Sequence, residues 1–114
     1  MGGASSRNKG QRGEREVVKL LQPIVDKVYS AKGMDAPQLG RNLQQSRDGG
    51  YDLSGLPWLA IEVKWQEAFN LSQWWVQTTR QSGEHQIPVL IYKKNHVKWR
   101  VRMLGDLPIG IAGV

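Results

Sequence analysis

Ile87–Tyr92 (IPVLIY) is a short, nearly continuous apolar run, the pattern of a β-strand buried on both faces rather than one with a wet side. Such a strand needs helices packed against its sheet, and two segments have the periodicity to supply them. From Glu14 to Val28, the positions Val17, Val18, Leu20, Leu21, Ile24, Val25 and Val28 recur at helical spacing, with Pro23 predicted to kink the helix or end its regular part. Asn70 suits the N-cap of a second helix through Ser82, with Gln73 at the capping-box position, Gly83 at the stop, and Leu71, Trp74, Trp75 and Thr78 on the apolar side. Between them, Tyr51–Ser54, a Gly55-Leu56-Pro57 turn and Trp58–Trp65 read as a β-hairpin. In its second strand Leu59, Ile61, Val63 and Trp65 share one face, which leaves Glu62 and Lys64 together on the other. Gly40–Ser46 reads as extended, Arg47-Asp48-Gly49-Gly50 as a turn, and Val97–Met103 as a last alternating strand. The order α-β-β-β-α-β-β predicts an α/β fold, one mixed β-sheet flanked by helices.

A chain of 114 residues fits one domain, expected over residues 10–114, after a flexible basic arm at residues 1–9 that has nothing to bury. No apolar run approaches the roughly 18 residues of a membrane span, and the first residues lack the apolar stretch of a secretory signal, so a cytoplasmic, membrane-free protein is expected. Zero cysteines exclude disulfides and thiolate metal sites, and two histidines argue against zinc. With 16 Lys+Arg against 10 Asp+Glu the formal charge is +6, which points to a polyanion, nucleic acid before membrane. Charge alone does not separate a binder from an enzyme.

The strongest chemical signal is Asp52 followed by Glu62-Val63-Lys64. A hairpin brings these two carboxylates and one ammonium to one end of one face. Clustered carboxylates suit a hard cation such as Mg²⁺, which takes oxygen ligands and keeps waters for a phosphate substrate. The lysine can then stabilise a metal-bound hydroxide or the charge building at phosphorus. The same short string also occurs in surface hairpins with an Asp in the turn and a cross-face Glu–Lys pair. Glu14 adds weight because it falls inside the apolar arc of the first helix, whereas Arg15, Glu16 and Lys19 fall outside it. An inward carboxylate is costly without a partner or a metal, although a first-turn acid also gains from the helix dipole.

Lys9-Gly10-Gln11-Arg12-Gly13-Glu14-Arg15-Glu16, opening an amphipathic helix and followed by Asp52 and Glu62-Val63-Lys64, resembles the PD-(D/E)XK nuclease superfamily. Within it the chain is most similar to the small archaeal-type and phage Holliday junction resolvases, over roughly residues 9–94. The resemblance implies a restriction-endonuclease-like fold and a metal-dependent, structure-selective DNA endonuclease. Asp52, Glu62 and the Val63 main-chain carbonyl would hold Mg²⁺, with Mn²⁺ as a substitute. Glu14 would join them directly, through water or through a second ion, and Lys64 would orient the attacking water. It also implies Arg41 and Ser46 as site-loop residues, in the stretch that carries Arg47, and a Gln on the second helix facing the site, here Gln77. Tyr51 stands where the superfamily name has its proline, and the loop from Arg41 to Asp52 differs in length and composition.

Basic residues form a second constellation. Arg7, Lys9, Arg12 and Arg15 flank Glu14, while Lys93, Lys94, Lys98, Arg100 and Arg102 form a C-terminal run. Both groups could track phosphates, and the second is equally a solvated strand face. Gln73, Gln77 and Gln81 form a ridge on the second helix that elsewhere is often just a wet face, and His85 and His96 read as surface residues. Trp65, Trp74 and Trp75 point to core or a subunit interface before base stacking.

The expected partner is branched DNA, above all a four-way junction. Two symmetric nicks call for a two-fold homodimer, with Trp74, Trp75 or Ile109–Val114 as candidate interface. A phage origin, implied by the resemblance, would place the reaction in the host cytoplasm. The competing readings are a nuclease of the same fold acting on nicked, flapped or linear DNA, a restriction-like enzyme, and a non-catalytic basic nucleic-acid-binding protein. Length weighs against the restriction-like enzyme, since little chain remains for a base-reading element.

Overall fold

A computed structural model describes residues 2–43 and 51–103, with side chains from Lys9 onward. Helix α1 (Gly2–Ala31) leads through a loop to strand β1 (Gly40–Arg41), which pairs antiparallel with β2 (Leu53–Ser54). Strand β3 (Leu59–Trp65), helix α2 (Leu71–Gln81) and strand β4 (Ile87–Lys93) then form a parallel β-α-β unit, in which Glu62 lies beside Leu90. Strand β5 (Arg100–Arg102) adds antiparallel to β4, giving the order β3-β4-β5. This mixed sheet with its helices is a restriction-endonuclease-like α/β fold.

β4 is covered on both faces, as its composition demands. On one face Val17 of α1 packs with Leu53, Ile61, Val63, Val89 and Ile91, and Val18, Leu21 and Trp99 close its margin. On the other, Trp74 of α2 packs with Leu90 and Tyr92, flanked by Leu71 and Trp75. Trp74 is therefore core and is unavailable as the interface residue expected from sequence. Asn70 caps α2 by accepting a hydrogen bond from the Gln73 N–H at 3.2 Å, and its amide donates to the Gln73 side chain at 2.7 Å.

Three local expectations are corrected. α1 begins at Gly2 rather than at Glu14, so the basic segment shares a helix with Glu14. It also runs through Pro23 to Ala31 instead of ending there: Pro23 lies on the exposed side, where its missing N–H costs one hydrogen bond and its ring meets solvent. Third, the 51–65 segment does not close as a two-stranded hairpin. β2 pairs with β1, and the link to β3 is the Asp52 N–H donating to the Ile61 carbonyl at 2.8 Å. Gly55 (φ +116°) directs this turn. Arg47–Gly50 and the chain beyond Met103 lie outside the described residues.

The loop before β1 is fastened to α1 by Gln22, whose side-chain oxygen accepts from the Leu39 N–H at 2.8 Å and whose amide donates to the Pro37 carbonyl at 3.0 Å. That attachment delivers Arg41 to the middle of α1.

A Cβ at Gly55 would come within 2.8 Å of the Gln38 carbonyl and 2.9 Å of Leu39, in a backbone conformation that L-residues rarely adopt. Gly55→Ala is therefore expected to destabilise the protein by about 1–3 kcal/mol, read as a lower urea midpoint with an unchanged m-value.

Candidate active site

At the C-terminal end of β3 an open cleft of about 630 Å³ is lined by Lys9, Gly10, Glu14, Asp52, Glu62–Glu67 and Gln77. Three elements converge there. β3 contributes Glu62, Val63 and Lys64; the segment entering β2 contributes Asp52; α1 contributes Glu14 one turn before its buried Val17. The four residues singled out from sequence for catalysis thus line one cleft.

Asp52 and Glu62 are only 6% and 3% exposed. Asp52 is held by its backbone and its side chain together: the Asn42 N–H donates to its carbonyl at 2.7 Å, and the Val63 N–H donates to Oδ2 at 2.8 Å. Gln77 of α2 donates to Glu62 Oε2 at 3.3 Å, so it faces the site. Burial, then the neighbouring Asp52 charge, push Glu62 from an ordinary 4.5 up to about 8. The Lys64 ammonium opposes that rise, whereas a hydrogen bond to Asp52 and the Glu14 charge add to it. Glu14 is also raised, chiefly by burial, despite the Arg41 guanidinium that donates to its Oε1 at 2.8 Å.

Two carboxylates close enough to share a proton, in a dry corner open on one side, are the donor set that a divalent cation relieves. Asp52, Glu62 and the Val63 carbonyl could hold such an ion with water filling the remaining positions. Among the described residues no group of three or more His, Cys, Asp or Glu side chains is arranged to hold a metal. The fit is therefore to a two-carboxylate, water-completed site, with Glu14 occupied by Arg41.

The cationic rim is built around an aromatic residue. Lys93 Nζ, Arg12 Cζ and Lys9 Nζ lie 4.3, 5.1 and 5.4 Å from the Trp65 ring, which meets Trp99 edge-on at 6.0 Å and donates from Nε1 to Asn95 at 2.8 Å. α1 rests closely on these rings at Gly13, where a Cβ would meet both at 3.4 Å, an ordinary van der Waals contact. Lys93 is tucked between Trp65 and Trp99, 3.9 Å from Glu16, while Lys94 lies over Phe69 and Arg102 over Trp75. Arg15 is exposed beside the site. The Arg7 side chain, Ser46 and Arg47 lie outside the described residues. Sequence reading missed Gln22 and Trp99, whose partners lie far away in the chain.

Compared with known proteins, the chain matches the model of a family described as "phage putative PDDEXK endonuclease" over residues 5–108. The chain belongs to this family. No curated protein and no solved structure matches it. Membership in a PDDEXK endonuclease family agrees with the superfamily resemblance of the Glu14, Asp52, Glu62, Lys64 set and with a phage-type nuclease. No described helix is long and apolar enough to cross a membrane.

In this PDDEXK endonuclease, between pH 4.5 and about 8 the folded chain holds a proton on Glu62 that the unfolded chain has already released. Stability of the metal-free protein should consequently fall as pH rises through that window, with Glu14 acting in the same direction. Thermal midpoints measured in chelator from pH 5 to pH 8 should decline, and Glu62→Gln should flatten the decline.

Proposed function

We propose that this endonuclease is a Mg²⁺-dependent, structure-selective DNA nuclease that resolves four-way junctions as a two-fold homodimer in the host cytoplasm. The observation that carries the reading is the convergence of Asp52, Glu62 and Lys64 in one cleft, entered from α1 by Glu14 and rimmed by Lys9 and Arg12. A binding protein has no use for a buried carboxylate pair facing the polyanion, because it repels phosphate and costs stability.

Each side chain has a task in hydrolysis at phosphorus. A bound divalent cation lowers the pKa of a coordinated water and offsets phosphate charge. Asp52 and Glu62 would hold that cation, Asp52 being oriented by the Val63 N–H. Lys64, one strand period from Glu62, would orient the attacking water and stabilise charge at phosphorus. Gln77 fixes the Glu62 carboxylate through its amide. Arg41 neutralises Glu14 through their 2.8 Å ion pair. The rim lysines and arginines would meet phosphates, contacts that carry no base sequence and so suit recognition of DNA shape. In-line water attack gives a 5′-phosphate product.

Incubation of four-way, nicked, flapped and linear DNA with Mg²⁺ or with chelator tests this. Paired symmetric nicks in the junction, dependent on Mg²⁺, are expected. Lys64→Ala and Glu62→Ala should each lower the rate on the order of 10²-fold or more. Asp52→Asn retains an acceptor for the Val63 N–H, so it should fold, lose cleavage, and bind junctions as tightly as wild type or more so. Preferential cutting of another substrate would overturn the junction assignment, and DNA binding without cleavage under any divalent metal would overturn the nuclease assignment.

A further inference from the structure

The hydrolysis chemistry uses only Gln77 of the glutamine ridge on α2. Gln73, Val76, Gln77, Arg80 and Gln81 recur at i, i+3, i+4, i+7 and i+8, so they form one stripe along the helix. An open groove of about 350 Å³ runs among these five side chains, and no carboxylate lines it. Gln77 also lines the catalytic cleft and donates to Glu62. Groove and cleft therefore meet at one side chain.

An arginine in the last turn of a helix gains from the helix dipole, and an amide-rich face is often simply wet, so neither feature alone indicates a ligand. Their position does. α1 and α2 cover opposite faces of the sheet, so Lys9 enters the cleft from one side and Gln77 from the other. Asp52 and Glu62 lie between them and repel a phosphodiester. A strand held across those acids needs a cation at each margin. On the α1 margin Lys9 and Arg12 supply it, and on the α2 margin the groove supplies Arg80. Among the described residues Arg80 makes no ion pair, whereas Lys9, Arg12 and Lys93 each meet a glutamate.

We propose that the α2 groove is the second half of a track for one DNA strand, which passes Lys9, crosses the carboxylates and continues over Gln77 to Arg80. Arg80 takes a backbone phosphate, and Gln73 and Gln81 donate amide N–H groups to backbone oxygens beside it. Guanidinium and amide donors are groups that hold phosphate and sugar without reading sequence. From Gln73 to Gln81 the helix rises about 12 Å, the length of about three base steps of a strand. The proposal rests on the nuclease reading, which makes the cleft the place where DNA is held.

Binding of a four-way junction by the full chain in chelator, titrated with salt, tests it. Arg80→Ala should weaken binding several-fold and make the slope of log affinity against log salt shallower by about 1. Lys27→Ala, which removes the same charge from the exposed far half of α1, should leave the slope unchanged. The chain has no cysteine, so a photoreactive azidophenacyl group can be placed on Val76→Cys in the groove, or on Val28→Cys away from it. The first should crosslink to the junction and the second should not. A wild-type slope for Arg80→Ala, an equal change for Lys27→Ala, or equal crosslinking from the two thiols would each overturn the track. If wild type cuts DNA while Arg80→Ala keeps its slope, the track fails and the nuclease reading stands. If the slope and crosslink appear but no divalent metal supports cleavage, the nuclease reading fails and the groove stands as a DNA site.

Discussion

One buried carboxylate joins the two halves of this molecule. Asp52 receives the Val63 N–H on its side chain, gives its own N–H to Ile61, and receives the Asn42 N–H on its carbonyl. The first two bonds tie it to β3 and the third to the segment that follows β1. Together with the packing of Leu53 against Ile61 and Val63, they fix the small β1-β2 pair against the β3-β4-β5 sheet. A charge left in so dry a place would cost several kcal/mol, and the backbone N–H offsets part of that cost while fixing the carboxylate beside Glu62. The same bond therefore sets both the fold's internal register and the spacing of the two acids.

Much of this was legible in the residues, because it follows from local period. The alternation of β3 placed Glu62 and Lys64 on one face, the apolar composition of β4 demanded cover on both sides, and the helical arc of α1 turned Glu14 inward. What escaped depends on partners distant in sequence. A Gly-Leu-Pro link looks like a hairpin turn, yet periodicity names a face and not a pairing partner, so β2's union with β1 was hidden. The Trp99 indole donates to Glu16, 83 residues away, and no short window contains both. Half of α1 also misled: Leu20, Ile24 and Val28 share the helical apolar pattern, yet all three are exposed.

The positive charge is not spread evenly. Lys9, Arg12 and Lys93 gather on Trp65 and meet Glu67 or Glu16 at 3.6–4.0 Å. The pairs of Lys9 and Arg12 are the more open, and pairs of that kind are worth about 0–1 kcal/mol, whereas Lys93 is itself largely shielded. The aromatic platform keeps the cations grouped whichever anion they serve. Arg41 on Glu14 is a tighter pairing, since both side chains are largely shielded from water. The resting site is thus partly neutralised from within.

α1 reaches from the cleft to Ala31 as one unbroken rod, and its most deeply packed side chain, Val17, sits near the cleft end. Treated as a rigid beam on that fulcrum, the helix has arms of very different length. Glu14 lies about 4.5 Å along the axis from Val17, and Val28 about 16 Å in the other direction. Rocking the far end by 2 Å would shift Glu14 by only about 0.6 Å. The gearing runs against transmission, and it lets the outer half of the helix drift or be grafted onto other partners while the carboxylate stays aligned with Asp52 and Glu62.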